Sequence, residues 1–276
     1  MKRLILSAIA ITAISVLIFI LIREPTTSYD YLQVPETGYE LEDELQIPDD
    51  ENLLAYNYPD EEDIGCESGY GYNQNECDYN EEPEPYFYSV FTNEPLPEHI
   101  IEFITGRSFR EYAPFTTDFL AYLTVTHVDF DGNDRIGHLI VAAEIGDEVL
   151  EIFQEIYESR FPIYSIRLID YFDAVDYYSL AANNSSAFNF RYIANTNVIS
   201  RHGFGMAIDI NPIQNPYVRG DNVLPEAGRA YLDRSDIRPG MIVPGSPVYE
   251  AFISRGWIWG GNWTSLRDYH HFELRR

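Results

Sequence analysis

The stretch Ser200-Arg201-His202-Gly203-Phe204-Gly205-Met206-Ala207-Ile208-Asp209 decides the local fold where the candidate metal-binding side chains are concentrated. Its two glycines allow the backbone to bend tightly after His202, and residues 206–210 then alternate in the manner of a β-strand. On such a strand Asp209 shares a face with Ala207, whose small side chain leaves room beside it. We therefore expect the bend to bring His202 back over the face that carries Asp209.

A second stretch, Asp268-Tyr269-His270-His271-Phe272-Glu273, supplies further groups of the same kind. We predict a strand over 271–274, with Asp268 on the loop that enters it, so that Asp268 and His271 face one cleft. Imidazoles and carboxylates are the ligands that a catalytic zinc takes three at a time, leaving a fourth position for water. A further carboxylate nearby can take the proton of that water. The two stretches together indicate the zinc site of a metallopeptidase.

Peptide hydrolysis also needs a cation for the negative charge of its tetrahedral intermediate. Arg191, in Ser186-Ala187-Phe188-Asn189-Phe190-Arg191, is the best candidate for that task or for pairing with a substrate carboxylate, because its fork of donors suits either partner. The alternative is that Arg191 forms an ordinary surface salt bridge.

The charge of the chain is strongly acidic and unevenly distributed. The net charge is −27 over 276 residues, and residues 24–86 hold 20 Asp and Glu with no Lys or Arg. Nucleic-acid binding needs basic surface to neutralise phosphates, so this composition argues against it. Low aliphatic content and self-repulsion predict that 24–86 is an extended, mostly disordered linker, although its many tyrosines could instead contact a wall polymer.

The N-terminus has the pattern of a membrane anchor. Residues 4–22 are apolar except for Ser7, Thr12 and Ser15, and basic residues flank them. As a helix this run is about 28 Å long, close to the hydrocarbon thickness of a bilayer. It ends in Arg-Glu-Pro rather than in a small-residue cleavage site, which favours an uncleaved anchor over a cleaved signal peptide. We predict a single-pass membrane protein with residues 1–23 as the anchor and the remainder outside the cytoplasm.

The only two cysteines, Cys66 and Cys77, lie in the exported linker. An oxidising compartment permits a disulfide between them. Two free thiols or a metal pair are the alternatives, and the metal pair is the weaker because no histidine or CxxC spacing accompanies them.

The composition becomes that of a globular domain at about residue 87, and we predict one domain over 87–276. Helices are expected over 97–105, 147–160 and 247–254, and a hairpin over 120–128 and 138–143. An extended segment is expected over 165–170. Asp129, Asp131 and Asn133 resemble a calcium loop but lack its Gly and its final Glu, so we interpret them as a turn. Because strands and helices do not alternate regularly, the predicted class is α+β with a small antiparallel sheet flanked by helices.

The motifs together resemble a known family. Ser-x-His-x-x-Gly-x-Ala-x-Asp followed by Asp-x-x-His-Phe-Glu is similar to the zinc D,D-carboxypeptidases and L-alanyl-D-glutamate endopeptidases of bacterial cell walls, including VanY-type enzymes and phage endolysins. The similarity runs from about residue 120 to 274. It also covers Phe161-Pro162-Ile163, Asn189-Phe190-Arg191, Asn211-Pro212, Asn215-Pro216-Tyr217 and Gly256-Trp257-Ile258-Trp259-Gly260-Gly261. It implies a fold like that of hedgehog and D,D-peptidase domains.

The resemblance also implies roles for individual residues. His202, Asp209 and His271 correspond to the zinc ligands, Asp268 to the catalytic carboxylate, and Arg191 to the substrate or transition-state cation. One departure concerns specificity: the dipeptidase branch has Glu at the position of Asp268, whereas the L-alanyl-D-glutamate branch has Asp. The shorter side chain argues against a D-Ala-D-Ala dipeptidase and leaves the hydrolase assignment intact.

Other residues near these motifs have open roles. Neighbours on a strand point to opposite faces, so we expect His270 to point away from His271, where it either lines the cleft or is solvated. Glu273 shares a face with His271 and either holds that imidazole from behind or is solvated. Trp259 either walls a substrate groove or belongs to the core. Ser200 has no general base near it, which argues against a serine hydrolase, and we place it behind the ligands.

The sequence thus predicts a monomeric, membrane-anchored, zinc-dependent peptidase that hydrolyses a stem-peptide bond of peptidoglycan. Whether it acts as a carboxypeptidase or an endopeptidase is left open, because that depends on how the cleft is closed. The rival from another class is a non-catalytic wall-binding module that keeps the peptidase fold. The intact set of ligands and Asp268 argue against that rival.

Overall fold

This computed structural model describes residues 87–193 and 196–275. The first sheet along the chain is antiparallel and has three strands. Its strands, in the order β1-β2-β3, are β1 (Phe91–Pro95), β2 (Leu120–Val128) and β3 (Asp134–Ala142). Apolar and β-branched residues fill β2, and the turn over 129–133 pairs Val128 with Asp134 and Leu120 with Ala142. The predicted hairpin is confirmed, with its second strand starting four residues earlier than expected.

In the described residues four α-helices accompany the sheets: α1 (Glu98–Ile104), α2 (Gly146–Glu158), α3 (Asp176–Ala181) and α4 (Pro247–Ile253). Three of them confirm predicted helices, and α3 was not predicted. In α4 the Ser246 hydroxyl caps the helix by accepting the Tyr249 N–H at 3.4 Å, because Ser is a preferred N-cap.

The amphipathic helix α2 supplies much of the larger core. It buries Val149, Ile152, Phe153 and Ile156 against β2 and α4, and each such side chain contributes about 1.5–3 kcal/mol through burial. Its acidic face carries Glu151 and Glu155, which pair with Arg255 just beyond α4. The helix therefore ties the hairpin to the C-terminal half of the chain.

A second antiparallel sheet places the predicted site. Its strands, in the order β6-β11-β9, are β6 (Ala207–Asp209), β11 (His271–Glu273) and β9 (Ile258–Trp259). Asp209 lies directly opposite His271 in the register, and Ala207 lies opposite Glu273. Residues 62 positions apart in the chain are thereby brought side by side.

Two smaller groups of strands complete the fold. The sheet β10-β7-β8 consists of β7 (Tyr217–Arg219), β8 (Asn222–Leu224) and β10 (Arg267–Asp268), and a parallel pair consists of β4 (Ser165–Ile166) and β5 (Asn184–Ser185). The fold is thus α+β with small, mostly antiparallel sheets, as predicted.

Two local predictions were wrong. The extended segment over 165–170 stops after Ile166, and a 3₁₀ turn follows over Ile169–Phe172, in which the Asp170 carboxylate accepts the N–H and the hydroxyl of Ser108. Asp268 is not on a loop but on β10, paired with Tyr217. In both cases a tertiary partner overrides the local pattern.

Several predictions concern residues that the structure does not describe: the anchor over 1–23, the linker over 24–86 and the Cys66–Cys77 pair. Among the described residues, no helix is long and apolar enough to cross a membrane. Residues 87–191 and 199–275 belong to one compact unit, and Tyr192–Val198 belongs to another.

Candidate metal centre

His202 stands on a 3₁₀ turn over His202–Phe204 that leads directly into β6. The turn closes at Gly205, which has the left-handed φ of 64° that glycine adopts without strain. A Cβ on Gly205 would lie 2.5 Å from the Ala142 nitrogen of β3. The predicted bend is therefore confirmed, and its glycine serves both the backbone conformation and the close approach to β3.

Three side chains converge at the end of β6 and β11. His202 Nε2 lies 3.2 Å from His271 Nδ1 and 3.3 Å from Asp209 Oδ2. Asp209 Oδ1 lies 3.0 Å from His271 Nδ1. One ligand atom of each residue falls within 4.8 Å of the others, so the structure brings together the three residues that the sequence named as ligands.

The hydrogen bonds behind the two imidazoles direct their lone pairs into this cluster. His202 Nδ1 lies 2.6 Å from the Ala187 carbonyl oxygen, to which it donates. His271 Nε2 lies 3.5 Å from the Glu273 carboxylate, which orients that ring in the way that carboxylates support metal-bound histidines. Two lone pairs and a carboxylate at these distances repel one another unless a cation or proton lies between them. This set of N and O donors fits zinc.

The pKa values of Asp209 and His271 are shifted because several ionisable groups lie close together in this cluster. Burial alone would raise the pKa of Asp209, yet the imidazoles of His202 and His270 hold it well below its usual value. Burial would lower the pKa of His271, but Asp209 and Glu273 raise it to about 10. The carboxylates of Asp209 and Glu273 therefore favour a positive charge on His271.

Asp268 and His270 form a buried pair next to the ligands. His270 Nε2 lies 2.9 Å from Asp268 Oδ1 and 3.9 Å from Asp209 Oδ2, and its Nδ1 lies 2.8 Å from the Asn215 carbonyl oxygen. Burial would lower the pKa of His270, but Asp268 and Asp209 raise it to about 9. His270 is 3% exposed, so the alternative that it is solvated is wrong. Its contacts with Asp268 and Asp209 agree with the other alternative, that it lines the cleft, and its contact with substrate stays a prediction.

Asp268 is wholly buried yet poorly hydrogen-bonded. Within the described ranges neither of its carboxylate oxygens has a hydrogen-bond partner, and its contact with His270 Nε2 at 2.9 Å is an ion pair. A buried carboxylate of this kind is costly unless it has a function or an unseen partner. Asp268 therefore has the environment expected of a reacting group rather than of a structural one.

The glycine pair after β9 makes room for Asp268. A Cβ on Gly260 would lie 2.6 Å from the Asp268 carbonyl oxygen and 2.9 Å from its Cβ. The 3₁₀ turn over Gly260–Asn262 thus rests directly on the backbone of Asp268. This contact explains why the stretch after the tryptophans has glycine at this position.

Arg191 is joined to the site through its backbone. Its carbonyl oxygen accepts the Ser200 N–H at 2.9 Å, and Ser200, itself buried, accepts the Gly203 N–H at 2.9 Å. The guanidinium of Arg191 pairs with Asp176, with Nε 2.5 Å from Oδ2. The salt bridge that was the alternative reading is therefore present, and the predicted role toward substrate stays a prediction.

Trp259 and Trp263 have different locations, one in the core and one beside the site. Trp259, predicted to wall a groove, is only 3% exposed, and its Nε1 donates to the Tyr269 carbonyl oxygen at 2.8 Å. The structure places it in the core rather than on a groove. Trp263 borders the site instead, with its ring centroid 5.4 Å from that of His271.

Glu273 lies where the sequence placed it, beside the ring of His271. Glu273 is buried, and Arg275 Nε donates to it at 2.6 Å. Burial would raise the pKa of Glu273, but His271 and Arg275 lower it to about 2. Asn215 stands in the family-like motif Asn215-Pro216-Tyr217, but nothing in that motif predicts that its carbonyl oxygen contacts His270. Asp176, beside Arg191, had no signal in the sequence.

Comparison with known proteins adds one finding. Residues 194–274 match the model of a peptidase family, M15, described as D-alanyl-D-alanine carboxypeptidase. No curated protein and no solved structure matches the chain. The matched range is less than a third of the chain, and it contains His202, Asp209, Asp268 and His271 but not Arg191. The part of the chain that carries the candidate ligands is therefore similar to this peptidase family, and the match supports a peptidase of family M15.

Proposed function

We propose that this protein is a zinc-dependent peptidoglycan peptidase that hydrolyses a stem-peptide bond, as a carboxypeptidase or as an endopeptidase. The observation that carries the proposal is the convergence of His202, Asp209 and His271 within 4.8 Å, with the unsatisfied carboxylate of Asp268 close by. The family match over 194–274 supports the substrate class.

His202, Asp209 and His271 would hold the zinc. Two neutral imidazoles and one carboxylate form a common catalytic set, which leaves a fourth position for water or substrate. When bound in such a site, zinc activates a water molecule and polarises the carbonyl that is attacked. Ala187 and Glu273 hold the outer nitrogens of the two rings, so each ring keeps the orientation that metal binding needs.

Asp268 is the proposed proton acceptor. Its carboxylate takes a proton from the attacking water and delivers it to the leaving amine, as general acid–base catalysis requires. His270 Nε2 lies 2.9 Å from Asp268 Oδ1, and the Asn215 carbonyl oxygen holds the other side of that ring. These two contacts hold the Asp268 carboxylate in place for the proton transfer. Asp at this position agrees better with the L-alanyl-D-glutamate type than with a D-Ala-D-Ala dipeptidase.

Arg191 is the proposed cation for the substrate. Its guanidinium would pair with a stem-peptide carboxylate or with the oxyanion that develops on the attacked carbonyl. The location outside the cytoplasm follows from the predicted anchor over 1–23 and is part of the same proposal, since the substrate lies in the cell wall.

The test uses the purified full-length protein, loaded with zinc and incubated with defined muropeptides whose products are identified by mass spectrometry. Loss of one alanine from a pentapeptide stem would establish a carboxypeptidase, and release of a larger fragment would establish an endopeptidase. Asp268→Ala should retain zinc and lose hydrolysis. A zinc-loaded wild type that binds muropeptides and cuts none of them would contradict the proposal and favour a wall-binding module.

A further inference from the structure

The salt bridge of Arg191 belongs to a chain of contacts that begins at the metal site. The Asn189 N–H donates to the carbonyl oxygen of His202 at 3.1 Å. The side chain of the same Asn189 donates through Nδ2 to Asp176 Oδ1 at 2.9 Å. The other oxygen of Asp176 lies 2.5 Å from Arg191 Nε. Asn189 and Arg191 thus each contact one oxygen of the Asp176 carboxylate. Their segment is bonded to the backbone of the predicted zinc ligand His202.

Burial restricts the motion of the Asn189, Asp176 and Arg191 side chains. Asn189 is 4% exposed, and its Nδ2 also donates to the Ala174 carbonyl oxygen at 3.2 Å, so its amide has little freedom to turn. The side chains of Arg191 and Asp176 are only 25% and 16% exposed. A half-buried ion pair is screened less by solvent than an exposed one, and it therefore holds its geometry better than the usual surface salt bridge.

The contact at Nε has a consequence for the whole guanidinium. The contact is an ion pair without hydrogen-bond geometry at Nε. Because the guanidinium is planar and rigid, a carboxylate held against one edge of it still restricts the orientation of the two terminal amino groups. An arginine that is held in this way loses less freedom when it binds an anion, and binding is correspondingly tighter.

We infer that Asp176, oriented by Asn189, is a positioning residue that directs Arg191 toward the anionic group of the substrate, either a stem-peptide carboxylate or the developing oxyanion. The inference rests on the proposed peptidase function and adds a residue to it that no sequence motif indicates. Asp176 acts only through Arg191 and touches neither substrate nor metal.

The experiment is a double-mutant cycle in the full-length, zinc-loaded protein. Asp176→Ala, Arg191→Ala and the double variant are compared with wild type for kcat and KM on muropeptides, for muropeptide binding by calorimetry, and for zinc content and Tm. Asp176→Ala should lower kcat/KM about ten-fold or more, the ratio expected for loss of a charge-assisted hydrogen bond. In the Arg191→Ala background the same change should have no effect on kcat/KM.

Two further variants separate positioning from simple stabilisation. Asp176→Asn keeps an oxygen that can accept from Asn189 Nδ2 and lie against Arg191 but removes the charge, and it should restore part of the lost kcat/KM. Asp173→Asn removes the same charge from an exposed residue with left-handed backbone, φ 56°, which Asn tolerates, and it should behave as wild type. An equal loss from Asp176→Ala with and without Arg191, accompanied by a lower Tm, would overturn the positioning role and leave the peptidase intact. A wild type that neither cuts nor binds muropeptides would overturn both.

Discussion

At the scale of single residues, His271 links metal binding to protons. Its pKa in the metal-free protein is about 10, because Asp209 and Glu273 outweigh a burial that would lower it. A raised pKa means that the ring is protonated at pH 7, and zinc requires it neutral. Zinc binding should therefore release protons at pH 7, and the affinity for zinc should fall as the pH is lowered, by about ten-fold per pH unit for each proton displaced.

Calorimetry in two buffers of different ionisation enthalpy at the same pH measures this release. His99→Ala is the matched control, since His99 is exposed on α1, and it should leave both zinc affinity and proton release unchanged. His271→Ala should lose most of the zinc affinity. Zinc binding with no proton release, or with an affinity that does not depend on pH, would contradict the assignment of His271 as a ligand.

The sequence could predict the three candidate ligands but not the direction of His270, the neighbour of His271. His202, Asp209 and His271 stand in spaced motifs, and the register that pairs Asp209 with His271 follows from two short strands that the alternation indicates. For His270 the sequence left two alternatives, lining the cleft or facing solvent, and its burial excludes the second. Its actual direction is set by the Asn215 carbonyl oxygen, a contact across 55 positions of the chain that no local pattern encodes.

At the scale of elements, the turn after β9 supports Asp268 by direct contact. Gly260→Ala would put a Cβ 2.6 Å from the Asp268 carbonyl oxygen, so β10 must shift. A displacement of about 1 Å at a reacting group can cost about 100-fold in rate. We expect kcat to fall by about that factor while zinc content is unchanged, because Asp268 is not a ligand.

Steady-state kinetics together with metal analysis checks this prediction. Thr264→Ala, at an exposed residue of the same loop, is the control and should keep wild-type kcat. If Gly260→Ala lost zinc together with activity, the turn would support the ligands rather than Asp268. If it kept full activity, the fit of the turn against β10 would have no catalytic consequence.

The turn between β2 and β3 depends on one carboxylate. Asp129 accepts the N–H groups of Asp131 and Asn133 at 2.9 and 2.8 Å and Arg135 Nε at 2.8 Å. Burial would raise its pKa, but Arg135 and Asn133 lower it to about 2. The carboxylate is thus occupied by the turn itself, which agrees with its interpretation as a turn rather than a calcium loop.

A depressed folded-state pKa gives stability that is present above the unfolded value near 4 and is lost as the pH falls toward 2. Asp129→Ala should therefore lower the free energy of unfolding at pH 7 by about 1–3 kcal/mol, and this difference should shrink between pH 4 and pH 2. Urea denaturation across that pH range measures it. Asp131→Ala, which keeps the backbone donor, should match wild type, and a deficit of Asp129→Ala that is constant with pH would contradict the role of the charge.

Elements with sustained periodicity were predictable, and the shortest ones were not. The amphipathic α2 and the hairpin β2–β3 follow from side-chain spacing alone. Strands of two residues, such as β4 and β10, exist only because a distant segment pairs with them. Helix α3 begins at Asp176, whose partners Asn189 and Arg191 lie in the irregular segment after β5. What the sequence could not supply was in each case a tertiary contact.

At the scale of the whole molecule, the predicted anchor and acidic linker would hold the catalytic domain away from the membrane and near the wall. We expect the full chain, of 31.9 kDa, to remain in the membrane fraction after a carbonate wash, and a variant that lacks residues 2–23 to be soluble. A chain that washes off intact, or that has lost its first residues in the membrane fraction, would contradict an uncleaved anchor.

The orientation can be tested with proteases added to intact cells whose wall has been removed. Residues 24–86 contain many Glu residues and no Lys or Arg, so a glutamyl endopeptidase should cut the linker and release the folded domain. Trypsin should leave the linker intact and serves as the matched control. Because the proposed substrate lies outside the membrane, a linker protected from the glutamyl endopeptidase until the cells are lysed would contradict both the predicted orientation and the access of the metal centre to peptidoglycan.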